Sequence, residues 1–208
     1  MKKLVMILMA ICLTVPAVTL NAQSKYVKKQ VKAKVKDYQK RGYEIFGSSR
    51  TLEAALTKHY MTLEEKDGKV LEIPGFSQAK SYNLAATAAQ NSAAQRYATT
   101  ASAQIKGRMI SDMAVEVSEN PAEFDKFYAA YEAKVEQEIR GELRPSFSVM
   151  HKNADGTISV EAYYILDDDA ASKARINAFK NSQAESAAAQ KYAERVSDFV
   201  NERVNSVE

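Results

Sequence analysis

The chain of 208 residues has one cysteine, two histidines, no tryptophan and only seven glycines. A single cysteine, Cys12, cannot form a disulfide within the chain or supply the several thiolates of a structural zinc site. The two histidines, His59 and His151, form no H-E-x-x-H pattern. The glycines form neither a G-x-x-x-x-G-K nor a G-x-G-x-x-G phosphate-binding loop. The composition therefore predicts neither a metal site nor a bound cofactor.

Residues 1–22 predict a cleavable export signal. Lys2 and Lys3 form a basic start, residues 4–20 are almost entirely apolar, and Ala22 is a small residue at the expected cut. A basic start, an apolar core and a small residue at the cut are the parts of a secretory signal. An uncleaved membrane anchor is the alternative, but the proline and the polar residues near the end of the stretch argue against it. We expect cleavage after Ala22 and export to the periplasm or the exterior.

Cleavage would also remove the only cysteine. Ile11 precedes Cys12 where a lipoprotein signal needs a small residue, so we do not expect lipidation there. The remainder, 23–208, has 27 basic and 26 acidic side chains, a balance that indicates no nucleic-acid partner. Its length suits a single domain with a core of its own.

Residues 24–41 predict an amphipathic helix with a strongly basic outer side. Val27, Val31, Val35 and Tyr38 fall on one helical stripe, and the segment contains eight basic residues and one acidic residue. We favour a surface helix docked on the domain, since such helices commonly have a charged outer side. The alternative is a binding surface for anionic lipid or glycan. Its candidate contacts are Lys28, Lys29, Lys32 and Lys36.

The next segments alternate between strands and helices. The pattern predicts, in chain order, a strand over 43–47, a helix over 51–66, a short strand over 70–73 ended by Pro74 and Gly75, and a helix over about 80–117. His59 lies beside the apolar stripe of the second helix, where a lone histidine is more often packed than a ligand. The sequence Asn120-Pro121-Ala122-Glu123 predicts a capped helix start, and that helix ends near Gly141.

The clearest strand signal is a β-hairpin formed by 146–152 and 157–166. Asn153–Gly156 provides the turn, and alternation along the second strand predicts one buried face. The acidic run 167–169 suits a helix start, and we favour this over a cation site because the spacing of a calcium loop is absent. The following helix is expected to reach about Val204.

These elements together predict an α+β fold, a small and mostly antiparallel sheet packed against several long helices. We expect roughly 55–65% helix, well above the typical third of a globular protein. The segments 93–98 and 188–193, AAQRYA and AAQKYA, are nearly identical. We interpret this as chance similarity between alanine-rich helices, with duplication of a strand–helix unit as the alternative.

Ser77 lies in the pattern that comes nearest to an enzyme motif. Gly75-Phe76-Ser77 follows a predicted strand as in a nucleophile elbow, and Ser77 with Lys80 fits S-x-x-K. The rest of such a site is missing, because His151 is the only downstream histidine and no companion motif is present. We therefore expect a non-catalytic protein in which Ser77 serves a loop or a helix cap. A serine hydrolase that uses Ser77 and Lys80 is the alternative.

Two segments together resemble small envelope proteins of Gram-negative bacteria. In 77–117 an alanine-dense helix has small residues spaced regularly before Tyr97-Ala98. In 143–169, RPSFSV, NADG and VEAYYIL follow one another. This is similar to the outer-membrane antigenic lipoprotein family and to the N-terminal domain of flagellar assembly protein T. The resemblance implies a helix-then-sheet domain in the cell envelope without known catalysis.

The resemblance carries over neither a lipid anchor, because the chain has no usable lipobox, nor any functional residue. We expect a non-catalytic exported protein of the bacterial envelope with a binding or structural role. Its partner would be an envelope protein, an anionic lipid or a glycan.

Overall fold

The computed structural model describes residues 17–204, with side chains from Lys25 onward. Most of the predicted export signal, 1–16, lies outside the described residues. The elements in chain order are α1 (Ala17–Lys40), β1 (Glu44–Phe46), α2 (Leu52–Glu65), β2 (Val70–Ala79), α3 (Tyr82–Asp112), α4 (Ala114–Glu119), α5 (Pro121–Arg140), β3 (Arg144–Lys152), β4 (Ile158–Asp167), α6 (Asp168–Ser182), a 3₁₀ turn (Gln183–Glu185), α7 (Ala187–Lys191) and α8 (Ala193–Asn201).

The four strands form one antiparallel sheet in the order β1-β3-β4-β2. The hairpin of β3 and β4 is its centre, as the sequence predicts. Its turn is closed by Asp155, whose carboxylate accepts bonds from the Thr157 amide at 2.9 Å and the Thr157 hydroxyl at 2.6 Å. Helices make up 66% of the structure, just above the expected range, and the predicted helix-rich α+β class is confirmed.

Helices cover both faces of the sheet, whereas the alternation in β4 predicted one buried face. Val160, Ala162 and Leu166 point to the larger core, which α3, α5 and α6 complete. The opposite face carries Phe147 and Val149, which pack against α1 and α2 in a smaller core. Strand β4 is therefore covered on one side by a thick helical layer and on the other by the α1–α2 pair.

Strand β2 is longer than the sequence predicts, because it continues through Pro74 and Gly75 to Ala79. It lies at the edge of the sheet, where a proline without an N–H group is tolerated. Gly75 allows α3 to approach closely. A Cβ atom on Gly75 would lie 2.0 Å from the carbonyl oxygen of Ala89 and 3.0 Å from Cβ of Ala93.

Two predicted features of the central helices are wrong. Helix α3 ends at Asp112 and a separate short helix follows it. Helix α5 starts at Pro121 after Asn120 as predicted, but the Asn120 side chain makes no capping bond, because its side-chain amide donates to the Glu116 carbonyl at 3.3 Å. The Glu123 carboxylate accepts from the Ala187 amide at 3.2 Å instead of completing a capping box.

The prediction of a single C-terminal helix that reaches Val204 is also wrong. Asp167 caps α6 as expected by accepting from the Asp169 amide at 3.2 Å. The helix breaks at Ser186, which is extended and caps α7 by accepting from the Ala189 amide at 3.1 Å. It breaks again at Tyr192. The repeated segments thus differ in structure, since 93–98 lies within α3 and 188–193 crosses the second break.

Candidate functional site

Helix α1 docks on the domain through its apolar stripe. Val27, Val31 and Tyr38 are buried and belong to the smaller core with residues of α2 and β3. The docked amphipathic helix predicted from the sequence is therefore confirmed. The four lysines singled out in the sequence are all exposed on its outer side. We call Lys28, Lys29, Lys32 and Lys36 the α1 lysine face.

No carboxylate among the described residues forms an ion pair with the α1 lysine face. The ion pairs of this helix lie at its C-terminal end, where Arg41 contacts Asp37 at 3.0 Å and Glu161 of β4 at 2.6 Å. The hydrogen bond to Glu161 raises the pKa of Arg41, so this end of the helix is tied to the sheet. The α1 lysine face lies nearer the N-terminal end of the helix and remains available to an anion from outside the protein.

A buried histidine joins α2 to the sheet. His59 is 1% exposed. Its Nδ1 lies 2.9 Å from Oγ of Ser146, and its Nε2 lies 2.6 Å from Oε2 of Glu72. We call His59, Glu72 and Ser146 the His59 centre. The sequence prediction of a packed histidine is confirmed.

A bulge in β3 places Ser146 next to the histidine. In the β3–β4 ladder, Pro145 pairs with Tyr164 and Phe147 with Tyr163, which leaves Ser146 without a partner. Successive side chains normally alternate between the faces of a strand, yet Ser146 and Phe147 both contact His59. Bulges re-aim side chains in this way.

The protons of the His59 centre follow from its hydrogen bonds. An ionised carboxylate only accepts hydrogen bonds, so Nε2 of His59 must carry the hydrogen that lies toward Glu72. In a neutral ring Nδ1 is then an acceptor, and the Ser146 hydroxyl donates to it. A hydroxyl, an imidazole and a carboxylate in series are the connections of a serine hydrolase relay.

Aromatic side chains enclose the histidine ring. Phe147, Tyr60 and Tyr163 lie with their ring centres 5.0, 5.2 and 6.1 Å from that of His59. Burial raises the pKa of Tyr60 to about 12 and also raises the pKa of Tyr163. Both phenols therefore stay protonated near neutral pH and place no charge beside the ring.

Ser146 opens into a cleft between α2 and the sheet. The cleft measures about 160 Å³ and its polar lining is Lys58, Thr62, Lys66, Arg144, Ser146 and Asp167. Three cations against one carboxylate give it a net positive charge. A wider hollow of about 770 Å³ runs along α2 between Arg50 and Glu65, but none of its lining residues is buried. The smaller cleft is the better candidate because Ser146 of the His59 centre lines it.

The structure does not place Ser77 in a nucleophile elbow. Ser77 lies within β2 opposite Val160, and its hydroxyl donates to the carbonyl of Ala85 at 2.5 Å. Lys80 is exposed just beyond the strand. His151 lies on β3, separated from β2 by β4, and its Nδ1 is 2.9 Å from the Gly42 carbonyl oxygen. The elbow alternative does not hold, and the favoured loop or helix-cap role of Ser77 is wrong too, because the strand continues where the sequence suggested a turn.

Sequence reasoning missed Glu72 and Ser146. They lie 13 and 87 residues from His59, and no motif links the three positions. The one local signal is Arg-Pro-Ser at the start of β3, where a proline favours a bulge or a strand end.

Among the side chains that the structure describes, no group of three or more His, Cys, Asp or Glu residues could hold a metal ion. None of the described helices combines the length and apolar character needed to cross a membrane.

A search of protein-family models, curated proteins and solved structures found no match to this chain. The resemblance to Gram-negative envelope proteins therefore stays a prediction.

Proposed function

We propose that this protein is an exported, non-catalytic component of a bacterial cell envelope that binds an anionic surface through the α1 lysine face. The export signal pattern in 1–22 supports the location. The observation that supports the binding role is the exposure of four lysines on one side of a docked helix. No ion pair with a described residue neutralises them.

The binding would be electrostatic, without insertion into lipid. An interfacial helix inserts its apolar side between acyl chains, but Val27, Val31 and Tyr38 already face the core. Each lysine near an anionic membrane contributes about 1 kcal/mol. Salt screens exposed charges, so the interaction should weaken steeply as ionic strength rises.

The test measures how the purified protein binds vesicles of phosphatidylglycerol and phosphatidylcholine, vesicles of phosphatidylcholine alone, and a soluble acidic polysaccharide. Replacing the four lysines of the α1 lysine face with glutamine should weaken binding to the anionic vesicles or the polysaccharide by at least about tenfold. Whichever anionic arm shows that loss identifies the source of the anion.

A matched control removes the same charge elsewhere. Lys152, Lys173, Lys180 and Lys191 are exposed and lie outside α1. Their replacement with glutamine should preserve most of the binding. The proposal would be contradicted if both quadruple variants lost binding equally. It would also be contradicted if the wild-type protein bound neither the anionic vesicles nor the polysaccharide at low salt.

The His59 centre favours a second candidate function, acyl transfer at Ser146. Its support is the chain of hydrogen bonds from Ser146 through His59 to Glu72. A fluorophosphonate probe should then label the wild-type protein and the Ser77→Ala variant but not the Ser146→Ala variant. Absence of labelling in the wild type would remove this candidate, and labelling lost only in Ser77→Ala would restore the Ser77 hypothesis.

A further inference from the structure

The cleft beside Ser146 gathers positive charge from separate elements. Lys58 belongs to α2, Lys66 follows its last residue, and Arg144 begins β3. None of the three forms an ion pair with another described residue. The one carboxylate of the lining, Asp167, already accepts a hydrogen bond from the Asp169 amide. Three cations against one carboxylate suit a doubly charged anion.

The cleft has room for a small anion. A space of about 160 Å³ corresponds to about five water molecules of roughly 30 Å³ each. A tetrahedral oxyanion such as phosphate or sulfate fits within it. Arginine and lysine are the side chains that most often bind such groups.

Ser146 meets an incoming anion in one of two hydrogen-bonding states. With a neutral His59, the Ser146 hydrogen points at Nδ1 and only oxygen lone pairs face the cleft. Those lone pairs repel an oxyanion. With a protonated His59, Nδ1 donates to Ser146 instead, and the hydroxyl hydrogen is free to point at the anion.

The hydrogen-bond partners of His59 can hold a protonated ring once an anion is present. Glu72 lies 2.6 Å from Nε2 and makes a charge-assisted hydrogen bond to an imidazolium. The other titratable groups that face the ring are Tyr60 and Tyr163, which stay uncharged near neutral pH. The cations of the cleft oppose a positive charge on the ring, and the bound anion offsets them.

We propose that the cleft binds a small tetrahedral oxyanion through Lys58, Lys66, Arg144 and Ser146, and that binding is coupled to the uptake of a proton by His59. The anion holds the Ser146 hydroxyl turned outward, and the imidazolium donates from both nitrogens, to Ser146 and to Glu72. Because anion binding and proton uptake are coupled, binding strengthens as pH falls. This proposal does not depend on the α1 lysine face.

The test is calorimetric titration of the full protein with sulfate, which does not itself take up protons near neutral pH. Titrations in two buffers of different protonation enthalpy give the number of protons taken up. We expect a value above zero and up to one in the wild type. The Ser146→Ala variant, which leaves His59 in place, should bind more weakly and take up fewer protons.

Two surface variants isolate the charge of the cleft. Arg144→Gln should weaken sulfate binding by at least about tenfold, whereas Lys152→Gln, at the other end of the same strand, should leave it unchanged. The proposal is overturned if sulfate does not bind, if both variants behave alike, or if Ser146→Ala takes up as many protons as the wild type. Comparing inorganic phosphate with glycerol phosphate then shows whether the free ion or a phosphate ester binds more tightly.

Discussion

At the scale of single residues, Arg175 shows how a charge can be buried without a carboxylate. Its side chain is 2% exposed. It donates to the carbonyls of Val200 and Glu202, at 3.2 and 3.1 Å, and to the Tyr97 hydroxyl at 2.6 Å. Burial raises the pKa of Tyr97, so this hydroxyl is a neutral acceptor. The planar guanidinium joins α6 to α3 and to the C-terminal end of α8.

Arg175→Lys should lower the free energy of unfolding by about 3 kcal/mol. The lysine keeps a buried charge but cannot reach three acceptors in different directions. Denaturant unfolding checks this, with Lys180→Arg on the exposed side of α6 as the control that should change little. A loss for Arg175→Lys no larger than that of the control would show that the three bonds contribute little.

Gly75→Ala should destabilise the protein by about 3 kcal/mol or more, because the new methyl group would overlap the backbone of α3. Gly107→Ala is the matched control. Gly107 lies in α3, and a Cβ atom added to it would have nothing within 4 Å, so alanine should stabilise the protein by about 0.5–1 kcal/mol. Thermal unfolding of both variants measures the contrast, and a similar shift in the two would contradict the close packing of β2 on α3.

At the scale of elements, the hairpin was predictable because its signals are local. Alternating side chains in β4 and the turn Asn153–Gly156 lie within a short stretch of sequence. The extension of β2 could not be predicted from the sequence, since a proline followed by a glycine usually ends a strand, as at Pro74 and Gly75. They fit here because one lies at a sheet edge and the other against a helix, and both facts depend on the tertiary structure.

The break in the C-terminal helix was hidden for a similar reason. Alanine favours helix, and Ser186 is a weak interruption in an alanine-rich segment. Its capping bond to Ala189 starts a new helix, and the contact of Glu123 with Ala187 holds the break from outside the segment. The histidine of the candidate site was predictable as packed, but its partners were not, because they come from two other elements.

The hairpin turn carries a pH-dependent interaction. The hydrogen bond from the Thr157 hydroxyl, together with that from its amide, lowers the pKa of Asp155. A carboxyl whose pKa is lowered on folding stabilises the folded state above its unfolded pKa. This contribution is lost as pH falls through the folded value.

Thr157→Val removes the hydroxyl but keeps the amide, so it should raise the pKa of Asp155 part of the way toward its ordinary value. An NMR titration of the Asp155 carboxyl carbon measures the change, and Ser159→Ala, two residues after Thr157 in β4, serves as the control. An unchanged titration midpoint in Thr157→Val would mean that the hydroxyl bond is not formed in solution.

At the scale of the whole molecule, both candidate binding regions lie on the same side of the sheet. The α1 lysine face belongs to a helix of the smaller core, and the cleft lies between α2 and the sheet. The larger core, with α3, α5 and α6, occupies the other side. One side of the sheet therefore carries the proposed binding surfaces, and the other provides most of the buried apolar packing.

The proposed export predicts the N-terminus of the working protein. Intact mass measurement of protein recovered from the bacterial envelope or the medium should give a chain that begins at Gln23. That cut falls within α1 and leaves the α1 lysine face in place. Protein that retains Met1, or that is found only in the cytoplasm, would contradict export.

The two edge strands of the sheet also affect whether the protein can pair with strands of other chains. Strand β1 offers only three residues to an incoming strand, and β2 contains Pro74, which has no N–H to donate. Short edges and edge prolines are ways in which proteins discourage pairing with strands of other chains. The same proline that obscured β2 in the sequence thus helps to protect the protein against aggregation.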